Sequence, residues 1–225
     1  GAEKNFEYNS LVRFMFGDLV EAIAILVMKS AGIDIEAEQE SVKLQLGKNS
    51  VSGTLDVEID GKVWDIKSAS PYAFEQKFGD MGGYKKIKQD DVFGYISQGY
   101  LYSKSRDKDF GGWIVINKAS GEWVVCEAPE LQEEDKKEAL ALAEKNLNAL
   151  LSGEKFKRCF TDVEETYKDK DKNVKKTGNR VLSSICGFCD FKRTCWPDAI
   201  MHKKVGSTAR FPKSVWYSKL KKREI

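Results

Sequence analysis

Apolar residues recur at helical spacing through SLVRFMFGDLVEAIAILVMKS, residues 10–30, which predicts an amphipathic helix capped at Ser10 and closed at Gly32. Alternation with period two then takes over. EAEQESVKLQL (36–46) reads as a strand, and GTLDVEIDGKVWDIKSAS (53–70) reads as two strands joined by Asp60-Gly61, a pair that favours a two-residue type I′ turn. Helical spacing returns over 88–106, GWIVIN (112–117) and EWVVCE (122–127) form a strand pair around KASG, and 130–151 is a long amphipathic helix. Helix, strands, helix, strands, helix predicts an α/β or α+β core, with a central mixed β-sheet flanked by helices.

The turn also predicts a register. With Asp60 and Gly61 as the loop, Ile59 pairs with Lys62, Glu58 with Val63, Val57 with Trp64 and Asp56 with Asp65. The last pair is expected at a non-hydrogen-bonded position, where facing Cα atoms approach to roughly 4.5 Å. Lys67 shares the face of Asp65, while Leu55, Val57, Ile59, Trp64 and Ile66 are expected on the other. An acidic solvated face with Lys67 as a neutralising neighbour accounts for this pattern in the plainest way. Against it, directly opposed carboxylates repel and raise one pKa, a cost that a divalent metal removes.

Composition narrows the chemistry. Of 225 residues, 41% are hydrophobic and 32% charged, as in an ordinary globular protein. The longest apolar run, AIAILVM, is far short of a membrane span, and no signal-peptide pattern is present, so a soluble, cytoplasmic protein without membrane partners is expected. The chain starts GAEKN without Met, compatible with sequence missing upstream. Its single histidine, His202, leaves little room for Ser-His-Asp, Cys-His or multi-histidine zinc chemistry, so hydrolysis would rest on carboxylates, lysine and metal. The net charge is only +2, but YKKIK (84–88), KFKR (155–158), KDKDKNVKK (168–176) and KLKKREI (219–225) concentrate positive charge, either as solvated faces or as tracks for phosphates.

Composition changes near residue 153, which divides a core, 1–152, from a charged, cysteine-bearing C-terminal subdomain, 153–225, expected to be irregular and metal-stapled. In it ICGFCDFKRTCWP sets Cys186, Cys189 and Cys195 in a C-x2-C-x5-C array, a spacing that lets two thiolates grip one metal centre with a third nearby. Cys159 is the first choice for a fourth ligand and His202 the next; Cys126, on a predicted strand, reads as an ordinary buried residue. Zinc and an iron-sulfur cluster both accept such ligands.

Taken together, Gly17 and Glu21 in FGDLVE, Asp56, the D-I-K triplet 65–67 and Q-G-Y-L-Y at 98–102 resemble the PD-(D/E)XK nuclease superfamily, in particular its RecB-like exonuclease branch. The resemblance covers about residues 10–102, and the cysteine array is similar to the C-terminal spacing of iron-sulfur relatives. KKTGNRVLSSICGFCDFKRTCW also looks like the ends of phage-encoded exonucleases of this branch, which places such a protein in the host cytoplasm. Asp65 stands where Glu is commoner, and no cysteine precedes Cys126, although iron-sulfur relatives usually set their first before the nuclease core. A fourth ligand from Cys159, zinc in place of a 4Fe-4S cluster, or an upstream cysteine each meets that departure.

The resemblance implies a metal-dependent DNA exonuclease of repair, recombination or phage DNA processing. In it Glu21, Asp56, Asp65 and the backbone carbonyl of Ile66 bind Mg²⁺ or Mn²⁺. Lys67 positions or deprotonates water, and Gln98 and Tyr102, at i and i+4 on one helix face, line the DNA side. An oligomer or a recombination partner is compatible with it. Two other readings remain: a non-catalytic, metal-stapled nucleic-acid-binding module, and an endonuclease on the same core.

Overall fold

The computed structural model describes residues 8–153, 157–189 and 191–221. They form two compact units, Gly1–Ser152 and Gly153–Ile225. Among the described residues no helix is long and apolar enough to cross a membrane.

The first unit is mixed α+β. Its elements are α1 (Tyr8–Ser30), β1 (Ala37–Glu38), β2 (Ser41–Leu46), β3 (Asn49–Thr54), β4 (Val57–Ile59), β5 (Lys62–Ala69), α2 (Pro71–Ala73), a π-helical turn (Phe74–Phe78), α3 (Tyr84–Gln89), α4 (Tyr95–Ser105), β6 (Asp109–Asn117), β7 (Trp123–Glu127) and α5 (Glu133–Leu151). A five-stranded mixed sheet runs β1-β4-β5-β6-β7, with β5 and β6 parallel and the other neighbours antiparallel. Parallel neighbours need a crossover, and α2 through α4 supply it.

Each face of the sheet is covered. On one, Ala24, Ile25 and Met28 of α1 bury Val57, Ile66, Ile114 and Ile116. On the other, Phe74, Phe78, Ile87, Ile96, Tyr100 and Ala139 enclose Phe110, Trp113 and Val115. Strand β6 is therefore buried on both sides, which its continuous apolar run permits. Much of the remaining apolar surface of α1 stays exposed, Met15, Leu19, Ile23 and Leu26 among it.

Several expectations are corrected. Helix α1 already includes Tyr8, so Ser10 lies inside it rather than at its cap. The strand expected over 36–46 is broken at Gln39, whose φ of +49° takes it out of extended geometry. β3, unexpected, pairs with β2 in a separate hairpin. The helix expected over 88–106 is two, because Asp91 caps a new start: its carboxylate accepts from Tyr95 N–H (2.7 Å) and Ile96 N–H (2.9 Å).

The second unit is not irregular. It contains β8 (Val163–Lys168), β9 (Val174–Val181), α6 (Ser184–Phe188), α7 (Lys192–Cys195), β10 (Ile200–Lys203) and β11 (Ser214–Lys219), with a four-stranded antiparallel sheet in the order β10-β11-β9-β8. Its apolar cluster is small: Leu182, Cys186 and Ala199, with Trp196 and Trp216. A buried carboxylate supplements it. Glu165 accepts from Asn179 Nδ2, Thr177 Oγ1, Gly206 N–H and the Tyr217 hydroxyl at 2.7–2.9 Å. Burial alone would raise its pKa, but these donors hold it below the ordinary carboxylate range. Charge divides unevenly between the units: residues 1–152 hold 18 Lys and Arg against 26 Asp and Glu, and residues 153–225 hold 19 against nine.

Candidate active site

The Asp60-Gly61 turn forms as expected, with φ of +51° and +69°, and fixes Ile59 opposite Lys62, Glu58 opposite Val63 and Val57 opposite Trp64. Beyond Val57 the ladder ends. Asp56 does not face Asp65 as a strand pair; it precedes β4, its carbonyl accepts Gln39 N–H (2.9 Å), and its carboxylate accepts Ile66 N–H (2.6 Å). That departure also turns Leu55 over. Leu55 packs with Val42 and Val63, not with Val57 and Ile66 as alternation alone predicts.

Asp65 is set by its other neighbour. Between Val63 and Trp64 the β5–β6 register shifts by one residue on β6, a bulge at Gly111 and Gly112. A Cβ at Gly111 would overlap the Trp64 indole, and Gly112 has φ +127°, so this bulge requires glycine. Trp64 is admitted against the sheet, and Asp65 comes opposite Trp113.

The result is a cluster drawn from α1, the residue before β4, and β5. Asp65 is 2% exposed; its Oδ1 pairs with Lys67 Nζ at 2.7 Å, and its Oδ2 is buried with no hydrogen-bond partner among the described residues. Glu21 turns toward the cluster. Gln39 Nε2 donates to the Glu21 carboxyl, which is close enough to Asp56 to share a proton. Burial, then the Asp56 charge, pushes Glu21 up to about 7; burial, then the Asp65 charge, pushes Asp56 up to about 6. Burial also raises Asp65, against the pull of Lys67. Lys67 goes the other way: burial would lower it, but Asp65 and Asp56 outweigh burial and hold it as an ammonium.

Such a set suits a hard divalent cation. Three carboxylates and the Ile66 carbonyl offer oxygen ligands, and an orphaned, buried carboxylate oxygen is a group that a cation would satisfy. Among the described residues, no three acidic, thiol or imidazole groups stand at ligand distance from one point, so the acids are neighbours rather than an assembled cage.

Comparison with known proteins adds little to this geometry. No family model matches the chain, and no curated protein matches it. Among solved structures it is similar to one described as the crystal structure of SSO0001, at 14% identity and a TM-score of 0.33, over 62% of this chain and 60% of that one. The chain thus spans 60% of the length of that structure, at a likeness too slight to carry an argument.

Gln98 and Tyr102 lie elsewhere on α4. They line an apolar groove of about 300 Å³ with Val42, Leu44, Leu101 and Ala143, and Tyr102 packs on the β2–β3 hairpin and Leu55. From the same helix Tyr95 is the residue that meets the acidic cluster, with Lys67 Nζ 5.8 Å from its ring centroid. Tyr95 and Gln39 are the two neighbours that sequence reasoning missed. The i, i+3 and i, i+7 steps from Gln98 and Tyr102 back to Tyr95 would have pointed to the first; nothing local marks the second.

In the second unit Cys189, Cys195 and Cys159 lie close enough to Cys186 to bear on its charge, but among the described residues no three of these thiols stand at ligand distance from one point. The buried Cys186 thiol is pushed up by burial, then by Cys189, Cys195 and Cys159. Arg158 accounts for the approach of Cys159: its Nε donates to Cys195 O at 2.9 Å, and its guanidinium stacks 3.9 Å from the Trp196 ring centroid. His202 is exposed on β10 and bonds its own neighbour, Lys203 O. Cys126 belongs to the first unit, where burial raises it to about 11. All five cysteines are free thiols.

Proposed function

We propose that the chain is a metal-dependent phosphodiesterase with a PD-(D/E)XK core, acting as a DNA exonuclease in the cytoplasm. The observation that supports this best is the buried, unpartnered Asp65 Oδ2 beside Glu21, Asp56 and the Lys67 ammonium. A bare structural cluster of this kind is costly, whereas hydrolysis of a phosphodiester needs converging carboxylates and one cation.

Glu21, Asp56, Asp65 and the Ile66 carbonyl would hold Mg²⁺ or Mn²⁺, which when bound polarises a phosphate oxygen and lowers the pKa of a water. Lys67, held protonated by Asp65, stabilises the negative charge that builds on the phosphoryl oxygens as water oxygen attacks phosphorus and the P–O bond to the leaving sugar oxygen breaks, the water giving up one proton and the leaving oxygen taking one up from solvent. Gln39 fixes the Glu21 carboxylate, and the Asp56 bond to Ile66 N–H ties the backbone at Ile66, whose carbonyl would be the fourth oxygen ligand. Cys159, Cys186, Cys189 and Cys195 would hold Zn²⁺ or a 4Fe-4S cluster that fastens the second unit.

End-labelled linear DNA, single- and double-stranded, with a closed-circle control, tests this in Mg²⁺ and in Mn²⁺. Metal-dependent loss of linear DNA, spared circles, and a fall of at least about a thousandfold in Asp65→Ala and Lys67→Ala with DNA binding retained are expected. Cleavage of circles would mean an endonuclease. Binding without cleavage in either metal would mean a nucleic-acid-binding module.

A further inference from the structure

The stretch FEQKFGDMGG, residues 74–83, has no part in the site so far, yet it builds an unusually fixed lysine. Phe74 and Phe78 of the π-helical turn are buried in the core, with Phe78 5.9 Å from Tyr95 and 6.1 Å from Trp113, centroid to centroid. Between them Lys77 is held from behind. Gly83 N–H donates to Lys77 O at 2.8 Å, and a Cβ at Gly82 would overlap the Lys77 carbonyl. A one-turn π-helix in a short helical segment is rare, and such turns are frequent at functional sites.

The clamp presents Lys77 Nζ to two ring faces, 5.3 Å from the Tyr95 centroid and 5.3 Å from that of Phe93. Tyr95 is the same ring that Lys67 Nζ approaches to 5.8 Å. The two distances to that centroid sum to 11.1 Å, the greatest separation the two ammonium groups can have. Among the described residues of this unit the carboxylates pair with Lys29, Lys67, Lys88, Lys104, Arg106, Lys108 and Lys136, and no ion pair to Lys77 is seen. Asp91, just ahead of Phe93 and Tyr95 in the chain, is committed to the start of α4.

We propose that Lys77 is a second anion subsite: it holds the backbone phosphate next to the one attacked beside Lys67, with Tyr95 as the ring that both lysines approach. The ligand is a nucleic-acid strand, so the assignment rests on the phosphodiesterase reading. An aromatic-backed ammonium on a fixed backbone, no more than 11.1 Å from the charge-stabilising lysine, is within reach of a neighbouring phosphate of the same strand.

Binding of a labelled single-stranded oligonucleotide in EDTA, followed by anisotropy from about 50 to 200 mM salt, separates this from a packing role. Lys77→Gln is expected to weaken binding at low salt and to lower the slope of log affinity against log salt by about 0.7, one phosphate contact on a single strand. Lys77→Arg should keep the wild-type slope. In a cleavage assay the Gln variant should raise KM more than it lowers kcat. A wild-type slope in Lys77→Gln overturns the subsite, as does a slope lowered equally in Lys77→Arg. Loss of cleavage in every metal with the Lys77 slope change intact would sink the nuclease reading alone; no binding by the wild-type protein would sink both.

Discussion

Glu21 and Asp56 resist ionisation in the folded protein, at about 7 and about 6, while an unfolded chain ionises both near the ordinary value of about 4. Between those limits the fold binds more protons than the unfolded chain, so their stabilising effect is complete at low pH and is lost as pH rises through the folded values. Urea unfolding of chelator-treated protein should therefore give a lower stability at about pH 8 than at about pH 5. Asp56→Asn, which keeps an acceptor for Ile66 N–H while removing the charge, should flatten much of that fall and exceed the wild type at the higher pH by on the order of 1 kcal/mol. An unchanged pH profile in the variant would show that the Glu21–Asp56 contact is not the source. The turn set the register from Ile59–Lys62 to Val57–Trp64 but not a pairing of Asp56 with Asp65, and Glu21 lies on α1, so the expectation that these acids meet comes from the resemblance rather than from the turn. Gln39 and Glu58 could not be read from the sequence. Glu58 is 1% exposed and pairs with Arg106 and Lys108, some 50 residues away, so its burial is decided by partners that no local pattern reveals.

Helix α4 and strand β6 approach so closely that a Cβ at Gly99 would overlap the Phe110 ring. Gly99→Ala should accordingly cost about 1–3 kcal/mol by overpacking, despite the better helix propensity of alanine, and urea denaturation measures it. A neutral result would mean that Phe110 can yield. The alternation of β4 and β5 and the continuous apolar run of β6 made these strands plain, and the type I′ turn set the pairing of β4 with β5. β3 escaped notice because NSVSGT pairs with β2 through its backbone while half its side chains stay exposed. The sheet of the second unit escaped for a stronger reason. Its inward positions include Glu165 and Asn179, so the hydrophobic code that marks a buried strand face is replaced there by a satisfied polar network.

Two compact units with separate cores imply separate responses to metal. Elemental analysis of the purified chain should find zinc or iron at a stoichiometry set by the cysteine site, with visible absorbance only if it is an iron-sulfur cluster. Stripping that metal, or Cys189→Ser, should lower the calorimetric transition of the second unit and leave that of the first within about 0.5 kcal/mol of its original stability. A parallel fall in both, or a metal-free chain of undiminished stability, would remove the stapling role.

The near-neutral sum of charges is a cancellation between a first unit of −8 and a second of +10. Such a chain is a polyampholyte in blocks, so its isoelectric point describes neither half. Near that pH, in dilute buffer, the basic half of one copy attracts the acidic half of another, and the protein is least soluble where its net charge would suggest only indifference. Added salt screens that attraction over a Debye length of about 10 Å at 0.1 M, and so dissolves the protein under the same conditions that would loosen the proposed hold on a polyanion.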